Sequence, residues 1–157
     1  MCSSDLTRTD DSPYPGAYVR AVPRFSGGGG LLSTLPDMVA LIRSLLPGGP
    51  TLLKPETIAS MMTNQLPDGT WIRFAVVGEM PGRGFGLAGS VIAKPLPIDH
   101  KDAVGEFYWG GVAGTQWWIS PKTNSAGVIM TQRQMSFAHP FAVEFKRLAY
   151  EALARGR

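Results

Sequence analysis

Residues 105–115 read Gly-Glu-Phe-Tyr-Trp-Gly-Gly-Val-Ala-Gly-Thr, and the rest of the chain is best understood outward from them. Residues 106–109 predict a strand, because aromatic side chains pack well on a pleated surface. Gly110 and Gly111 follow, and glycine at a strand end either permits a tight turn or lets a second backbone or a ligand approach closely. Two interpretations therefore stay open on this stretch alone. One is a turn beside an aromatic core; the other is a substrate-facing edge strand whose backbone N–H groups bind an oxyanion.

Composition indicates a globular protein without a nucleic-acid partner. The 157 residues are enough for one domain with a sizeable core, and 44% are apolar and 17% charged. The net charge is only +3, and the basic residues are scattered along the chain. Since nucleic-acid binding needs clustered positive charge, we expect no nucleic-acid partner.

Cysteine and histidine usage argues against a metal or cofactor site. Cys2 is the only cysteine, which excludes an internal disulfide and a cysteine-rich zinc site. His100 and His139 lie far apart and have no metal-ligand spacing around them. We therefore expect no metal and no cofactor, and the sequence assigns no role to either histidine.

The first eleven residues differ in character from the rest. No apolar run approaches a membrane span, and residues 1–11 form a polar head without the apolar segment of a signal peptide. One back-translation of residues 2–6 matches the end of a common sequencing adapter. We therefore treat residues 1–11 as a non-native head by hypothesis; the native compartment and the oligomeric state are left unspecified by the sequence.

Two short helices are predicted in the first half of the chain. Four glycines at residues 27–30 predict a buried turn before them. Thr34 with Asp37 predicts a capped helix start, followed by one apolar face at Met38, Leu41, Ile42, Leu45 and Leu46. Pro55 predicts the first turn of the second helix.

From residue 71 onward the pattern favours strands and then a helix. Residues 71–77, residues 84–92 (interrupted by glycines), and residues 106–109, 115–119 and 127–131 each predict a strand. Pro140 predicts the start of a C-terminal helix with Lys146 facing outward and an apolar stripe of Phe141, Phe145, Leu148, Ala149 and Ala152 on the sheet. No segment of the sequence is an obvious cover for the other face of the sheet. The fold class is α+β: an antiparallel sheet of three to five strands packed on a C-terminal helix, preceded by two short helices.

Four stretches, taken in this order, resemble the C-terminal half of serine β-lactamase-like hydrolases. They are residues 25–34 with Asp37-Met38, residues 84–87, residues 108–115, and residues 118–122 with 128–132. The greatest similarity is to the family VIII carboxylesterases, which share the class C β-lactamase fold. The resemblance implies an incomplete β-lactamase/transpeptidase-like fold, with residues 12–157 as the C-terminal part of the domain.

The resemblance also implies a site. Trp109, Gly110 and Gly111 stand where the β-lactamases carry Lys-Thr-Gly and the esterases commonly carry Trp-Gly-Gly, on the strand that lines the substrate cleft. The N–H of Val112 would be one of two oxyanion-hole donors, with the second supplied by the nucleophile's own residue. A small-molecule ester is favoured over a β-lactam as substrate, because Trp109 takes the place of a lysine that would pair with a carboxylate.

The family's nucleophile motif is missing from this sequence. In the family the nucleophile comes from Ser-x-x-Lys, which is followed by Tyr-x-Asn or Ser-x-Asn, and neither pattern occurs in this chain. Both belong to the family's N-terminal part. We therefore expect a C-terminal portion of a serine hydrolase that is inactive alone. Two alternatives remain: a non-catalytic relative that binds a peptide or partner through its sheet edge, or an unrelated small α+β domain whose Trp-Gly-Gly is only a turn.

Overall fold

The computed structural model describes residues 33–75, 77–112, 114–131, 133 and 140–156. The chain divides into two compact units, Met1–Thr34 and Leu35–Arg157, and nearly all of the described residues belong to the second. The polar head at residues 1–11, the predicted glycine turn at residues 27–30 and His139 lie outside the described residues.

The three helices expected from the sequence are present. Helix α1 spans Leu35–Ser44, with Asp37 in its first turn and Arg43 in its last, both favourably placed for the helix dipole. Helix α2 spans Pro55–Met61 and begins at the proline that predicted it. Helix α3 spans Pro140–Arg155, again beginning at its predicted proline.

A five-stranded antiparallel sheet forms the centre of the second unit. Its strand order β3-β4-β5-β6-β7 follows the chain, so each strand pairs with its neighbour in sequence. The strands are β3 (Arg83–Phe85), β4 (Ser90–Ile92), β5 (Phe107–Gly110), β6 (Gln116–Ser120) and β7 (Ser125–Ile129). Two shorter strands, β1 (Arg73–Phe74) and β2 (Gly78–Glu79), pair only with each other. The predicted α+β class is confirmed.

Two of the predicted strands are hairpins instead of single strands. Residues 84–92 turn back between β3 and β4, where the Gly86 N–H donates to the Gly89 carbonyl oxygen at 2.8 Å. Ala88 lies in this turn with a φ of 72°, a conformation that alanine rarely adopts. Residues 71–77 similarly contain only the two-residue strand β1 before the chain reverses into β2. Both predictions of a continuous strand were therefore wrong.

The two helices that precede the sheet cover one of its faces. Ile42 and Leu45, from α1 and the residue after it, pack in one buried cluster with Val91, Phe107 and Ile119 of β4, β5 and β6. Partly buried side chains around α2 extend this cluster: Leu53, Ile58, Met61 and Met62. The expectation that the second face lacks a cover was wrong. The sequence predicted an apolar face on α1, but that face was not matched to a face of the sheet.

Helix α3 covers the opposite face, but with a different stripe from the predicted one. Ala142 and Tyr150 are its buried residues, and the half-buried Lys146 lies midway between them at i, i+4 spacing. Phe145 and Leu148, predicted to face the sheet, are 47% and 49% exposed. Phe145 keeps one aromatic contact with the sheet, an edge-to-face contact with Trp118 at 5.8 Å.

A buried carboxylate explains why Lys146 turns inward. Glu106 is fully buried immediately before β5. It accepts a hydrogen bond from Lys146 Nζ at 2.6 Å and another from the Tyr150 hydroxyl at 2.8 Å. Burial raises the pKa of the Glu106 carboxyl, with the Lys146 charge and the hydrogen bonds from Lys146 and Tyr150 opposing that rise. The three side chains attach α3 to the start of β5.

Gly127 of β7 makes room for a tryptophan on the α3 face. It lies opposite Trp118 in the β6–β7 register, and Trp118 is buried. A Cβ atom on Gly127 would overlap the Cη2 and Cζ2 atoms of the Trp118 ring. The missing side chain is therefore required by packing.

We expect Gly127→Ala to lower the free energy of unfolding by about 1–3 kcal/mol, the usual cost of overpacking a core. Denaturant-induced unfolding followed by circular dichroism measures it. Gly110→Ala is the matched control, because the nearest atom to a Cβ there would be the Gln116 Cγ at 3.2 Å, with no overlap of the kind found at Gly127. Equal losses for the two substitutions would contradict this account of the sheet.

We expect the contribution of Glu106 to stability to decline as pH rises. The pKa of the Glu106 carboxyl is higher in the folded chain than in the unfolded chain, where it is about 4.5. Its contribution to the free energy of unfolding is therefore fully present below about pH 4.5, and it is lost as pH rises through the folded pKa. The stability of the wild-type chain relative to Glu106→Gln should therefore fall between about pH 4 and neutral pH. Unfolding titrations at several pH values measure this difference.

Glu144→Gln is the matched control for that titration. Glu144 is exposed on α3, and its hydrogen bond with Arg147 lowers the pKa of its carboxyl. The pH trend for Glu144 should therefore have the opposite sign. The same trend for both glutamates would contradict the role given to burial at Glu106.

Candidate functional site

Strand β5 carries the predicted site residues, and its end extends past one of its neighbours. Pairing with β6 continues through Trp109↔Trp117 and Gly110↔Gln116. Pairing with β4 reaches only Ser90↔Tyr108. The prediction of an edge strand was therefore wrong for β5 as a whole, since it is the middle strand of the sheet. Its last two residues nevertheless have a neighbour on one side only.

The backbone after β5 leaves the Val112 N–H available. The Gly111 N–H donates to the Thr115 carbonyl oxygen at 2.8 Å, and the Gly114 N–H closes the turn onto the Gly111 carbonyl oxygen at 3.0 Å. In an antiparallel ladder alternate residues direct their N–H groups to opposite sides. Gly110 therefore directs its N–H toward the side that β4 has left, and Val112 follows at the first position of the turn. Within the described part of the chain the Val112 N–H has no hydrogen-bond partner, and the residue is 46% exposed.

Packing against the residues that the structure describes does not require glycine at positions 110 and 111. Neither residue has a positive φ, in contrast to Gly114 with a φ of 94°. A Cβ on Gly110 would lie 3.2 Å from the Gln116 side chain, and one on Gly111 would lie 3.0 Å from the Thr115 hydroxyl. Both neighbours are side-chain atoms that can rotate away. The absence of side chains here is thus unexplained by packing, unlike at Gly127.

Trp109 borders an apolar cavity. Its half-buried ring lies 5.8 Å from the Phe74 ring of β1 and makes an edge-to-face contact with the Phe85 ring of β3 at 5.4 Å. The cavity has a volume of about 370 Å³ and is lined by Leu66, Thr70, Trp71, Ile72, Arg73, Phe74, Phe85 and Trp109. Aromatic and aliphatic side chains dominate, as in sites that bind small apolar molecules.

Asn64, in the segment after α2, holds the cavity wall in place. Its Oδ1 accepts hydrogen bonds from the N–H groups of Phe85 at 3.0 Å and Leu66 at 3.2 Å. Gly84 gives the amide space, since a Cβ there would overlap Asn64. The motif at residues 84–87 therefore joins strand β3 to the segment that carries Leu66.

A second, more polar cavity of about 210 Å³ lies between the sheet and α3. Arg83 and Asp99 form a buried ion pair there, with Arg83 Nη2 2.7 Å from Asp99 Oδ1. Burial raises the pKa of the Tyr108 hydroxyl, which lines the same cavity. Together with Glu106 and Lys146, these groups were not anticipated as a cluster from the sequence. Only alternation along β5, which places Glu106 and Tyr108 on one face, hinted at it.

His100, which the sequence left without a role, packs against α3. Its ring stacks on Tyr150 with centroids 4.7 Å apart, and its Nδ1 accepts a hydrogen bond from the Asp102 N–H at 3.2 Å. Among the described residues no group of three or more His, Cys, Asp or Glu side chains is placed to hold a metal ion. No helix in the described segments has the length and apolar character needed to cross a membrane.

Comparisons with known proteins identify relatives by sequence and relatives among solved structures. Protein Rv1367c of Mycobacterium tuberculosis (strain ATCC 25618 / H37Rv) is 36% identical over 108 residues, which are 63% of this chain and 27% of that protein. Acyltransferase calJ of Penicillium decumbens is 33% identical over 127 residues, 73% of this chain and 30% of that protein. Among solved structures, EstCE1, described as a hydrolase with promiscuous acyltransferase activity, superposes with a TM-score of 0.72 at 25% identity.

The chain spans about a third or less of the length of these proteins. The superposition with EstCE1 covers 87% of this chain and 34% of that one, and its fold supports the incomplete β-lactamase-like architecture expected from the sequence. The sequence model of the family described as Beta-lactamase matches residues 3–151. With a match over nearly its whole length, this chain belongs to the beta-lactamase family of serine hydrolase-like proteins.

Proposed function

We propose that this chain is the C-terminal portion of a serine hydrolase that cleaves small carboxylic esters by acyl transfer. In this proposal the Val112 N–H is one of the two donors that stabilise the oxyanion. Trp109, Gly110 and Gly111 line the substrate. The nucleophilic serine and its base come from another part of the longer protein, since neither family motif occurs here.

The observation that carries the proposal combines an exposed N–H, which has no partner in the described segments, with two adjacent glycines that packing in those segments does not require. An oxyanion site needs fixed donors about 3 Å from the developing charge. The hydrogen bonds at Gly111 and Gly114 fix the turn that carries Val112. Absent side chains at Gly110 and Gly111 let an acyl group approach the backbone.

The proposed reaction has two steps of the usual acyl-enzyme kind. The serine oxygen attacks the ester carbonyl carbon, and the carbonyl oxygen becomes negatively charged beside the Val112 N–H. The bond to the alcohol oxygen then breaks, and the alcohol leaves with a proton from the catalytic base. Water repeats the attack on the seryl ester and releases the acid.

An ester is favoured over a β-lactam because of what surrounds position 109. Trp109 is apolar and packs against Phe74 and Phe85, so position 109 does not supply the cation that the resemblance places there in the β-lactamases. The neighbouring cavity of about 370 Å³ supports an apolar acyl or alcohol group.

Transfer of the acyl group to an alcohol instead of water is a second candidate reaction. It is favoured by the names of two relatives, an acyltransferase and a hydrolase with promiscuous acyltransferase activity. Both reactions share the seryl-enzyme and the oxyanion donors. The ratio of new ester to free acid in the presence of excess alcohol separates them.

Exposed apolar side chains on the helices support a longer parent protein. On α1 these are Leu35, Val39 and Leu41, and on α3 they are Val143, Leu148 and Leu153. Extended apolar surface of this kind marks a contact area more often than free surface.

The test is to place this chain in the matched position of EstCE1 and to remove the proposed donor. We expect the chimera to hydrolyse p-nitrophenyl butyrate and Val112→Pro to lower kcat about 100- to 1,000-fold, because proline has no N–H. Val112→Ala is the matched control; it keeps the N–H and removes an exposed side chain, so kcat should stay near that of the unaltered chimera.

Two results would contradict the proposal. One is equal activity of the Val112→Pro and Val112→Ala chimeras. The other is turnover of p-nitrophenyl butyrate by this chain alone at a rate well above buffer, lost on replacing one of its own serines.

A further inference from the structure

The β1–β2 hairpin stands beside the proposed catalytic strand and contributes an aromatic wall to its cavity. Phe74 of β1 lies 5.8 Å from the Trp109 ring, and Phe85 of β3 lies 5.4 Å from the same ring on an edge-to-face contact. Trp71 and Ile72, just before β1, complete this side. Four aromatic rings from three separate segments therefore border one space.

Packing of the core does not explain the position of Phe74. Its two-stranded sheet is separate from the five-stranded one and is joined to β3 by the Ile72 N–H, which donates to the Arg83 carbonyl oxygen at 2.9 Å. Phe74 is 41% exposed, and Val77 in the hairpin turn is 54% exposed. A two-stranded hairpin is marginally stable by itself. Phe74 is grouped with Trp71, Phe85 and Trp109 around one apolar cavity, and such grouped apolar surface is typical of a binding site.

The cavity is largely open to solvent and has room for a group larger than one benzene ring. A cavity of about 150 Å³ with apolar walls holds one benzene ring. The cavity beside Trp109, at about 370 Å³, is more than twice that volume. Aromatic rings on its walls favour planar aromatic partners, which pack edge-to-face or with an offset.

The cavity and the proposed oxyanion donor are close enough to bind one molecule. Val112 follows Trp109 by three residues, which span at most about 10 Å of extended backbone. An ester group beside the Val112 N–H would thus have its acyl or alcohol part next to the Trp109 ring.

Resting on the function proposed above, we propose that the β1–β2 hairpin determines specificity. In this proposal Phe74, with Phe85 and Trp109, binds a planar aromatic group of the ester. The preference is for an aromatic acyl or alcohol group over a linear aliphatic one.

Direct binding to the full 157-residue chain tests this without any catalysis. The probe is methyl 2-naphthoate, whose fluorescence is followed on excitation where tryptophan does not absorb. We expect saturable binding, an increase in Kd of about tenfold in Phe74→Ala because a ring contact is lost, and only weak competition by methyl hexanoate. Phe74→Leu, which keeps apolar area without the ring, should fall between Phe74→Ala and the wild-type chain.

Phe145→Ala is the matched control. It removes the same side chain at similar exposure, 47% against 41%, on the α3 side of the sheet. Its Kd should stay within about twofold of the wild-type value. Absence of saturable binding, equal weakening by Phe74→Ala and Phe145→Ala, or equal competition by methyl hexanoate would each overturn the proposal.

The result of this binding test can be distinguished from the result of the chimera test of the proposed function. Saturable binding that depends on Phe74, combined with no effect of Val112→Pro in the EstCE1 chimera, would retain the aromatic site and reject the oxyanion role. The reverse combination would retain the oxyanion role and reject the aromatic site.

Discussion

Strand β5 extends two residues beyond the end of its pairing with β4, and the proposed oxyanion site depends on this difference in strand length. Up to Tyr108 the strand has hydrogen-bonded neighbours on both sides. From Trp109 onward β6 is the only paired strand among the described residues, so the Gly110 N–H points to the side that β4 has left, next to the turn that carries Val112. The β6 partner keeps the free end straight through Gly111, whose N–H bonds to Thr115. A strand that is fixed on one side and open on the other can present backbone donors to a ligand at no cost in reorganisation.

The two faces of the sheet stabilise this strand in different ways. On one face apolar packing dominates, with Ile42 and Leu45 against Phe107. On the other, Glu106 is bound by Lys146 and Tyr150 of α3. A buried ion pair adds little net stability but is costly to break, so it fixes the position of β5 relative to α3. The glycines of the sheet also differ in what they do. Gly127 leaves space for the Trp118 ring, whereas Gly110 and Gly111 have no such role among the described residues.

Local sequence signals predicted where helices and strands lie better than they predicted which of them pack together. Pro55 and Pro140 marked two helix starts correctly, and the aromatic–glycine stretch gave the β5–β6 hairpin. The turn between β3 and β4 was missed because Ala88 adopts a left-handed conformation that its residue type does not signal. The buried face of α3 was missed because Lys146 is turned inward by Glu106, forty residues earlier in the chain. Among the residues that line the cavity, Trp109 was predicted as a site residue. Phe74 was not predicted, because its strand is only two residues long.

The most direct test of the central claim is an NMR titration of the ¹⁵N-labelled chain with 2-naphthoate, the acid product expected from an aromatic ester. We expect the Val112 amide resonance to shift on saturation more than that of Gly111, whose N–H is already bonded within the hairpin. A Val112 resonance that stays in place while amides around α3 shift would contradict it.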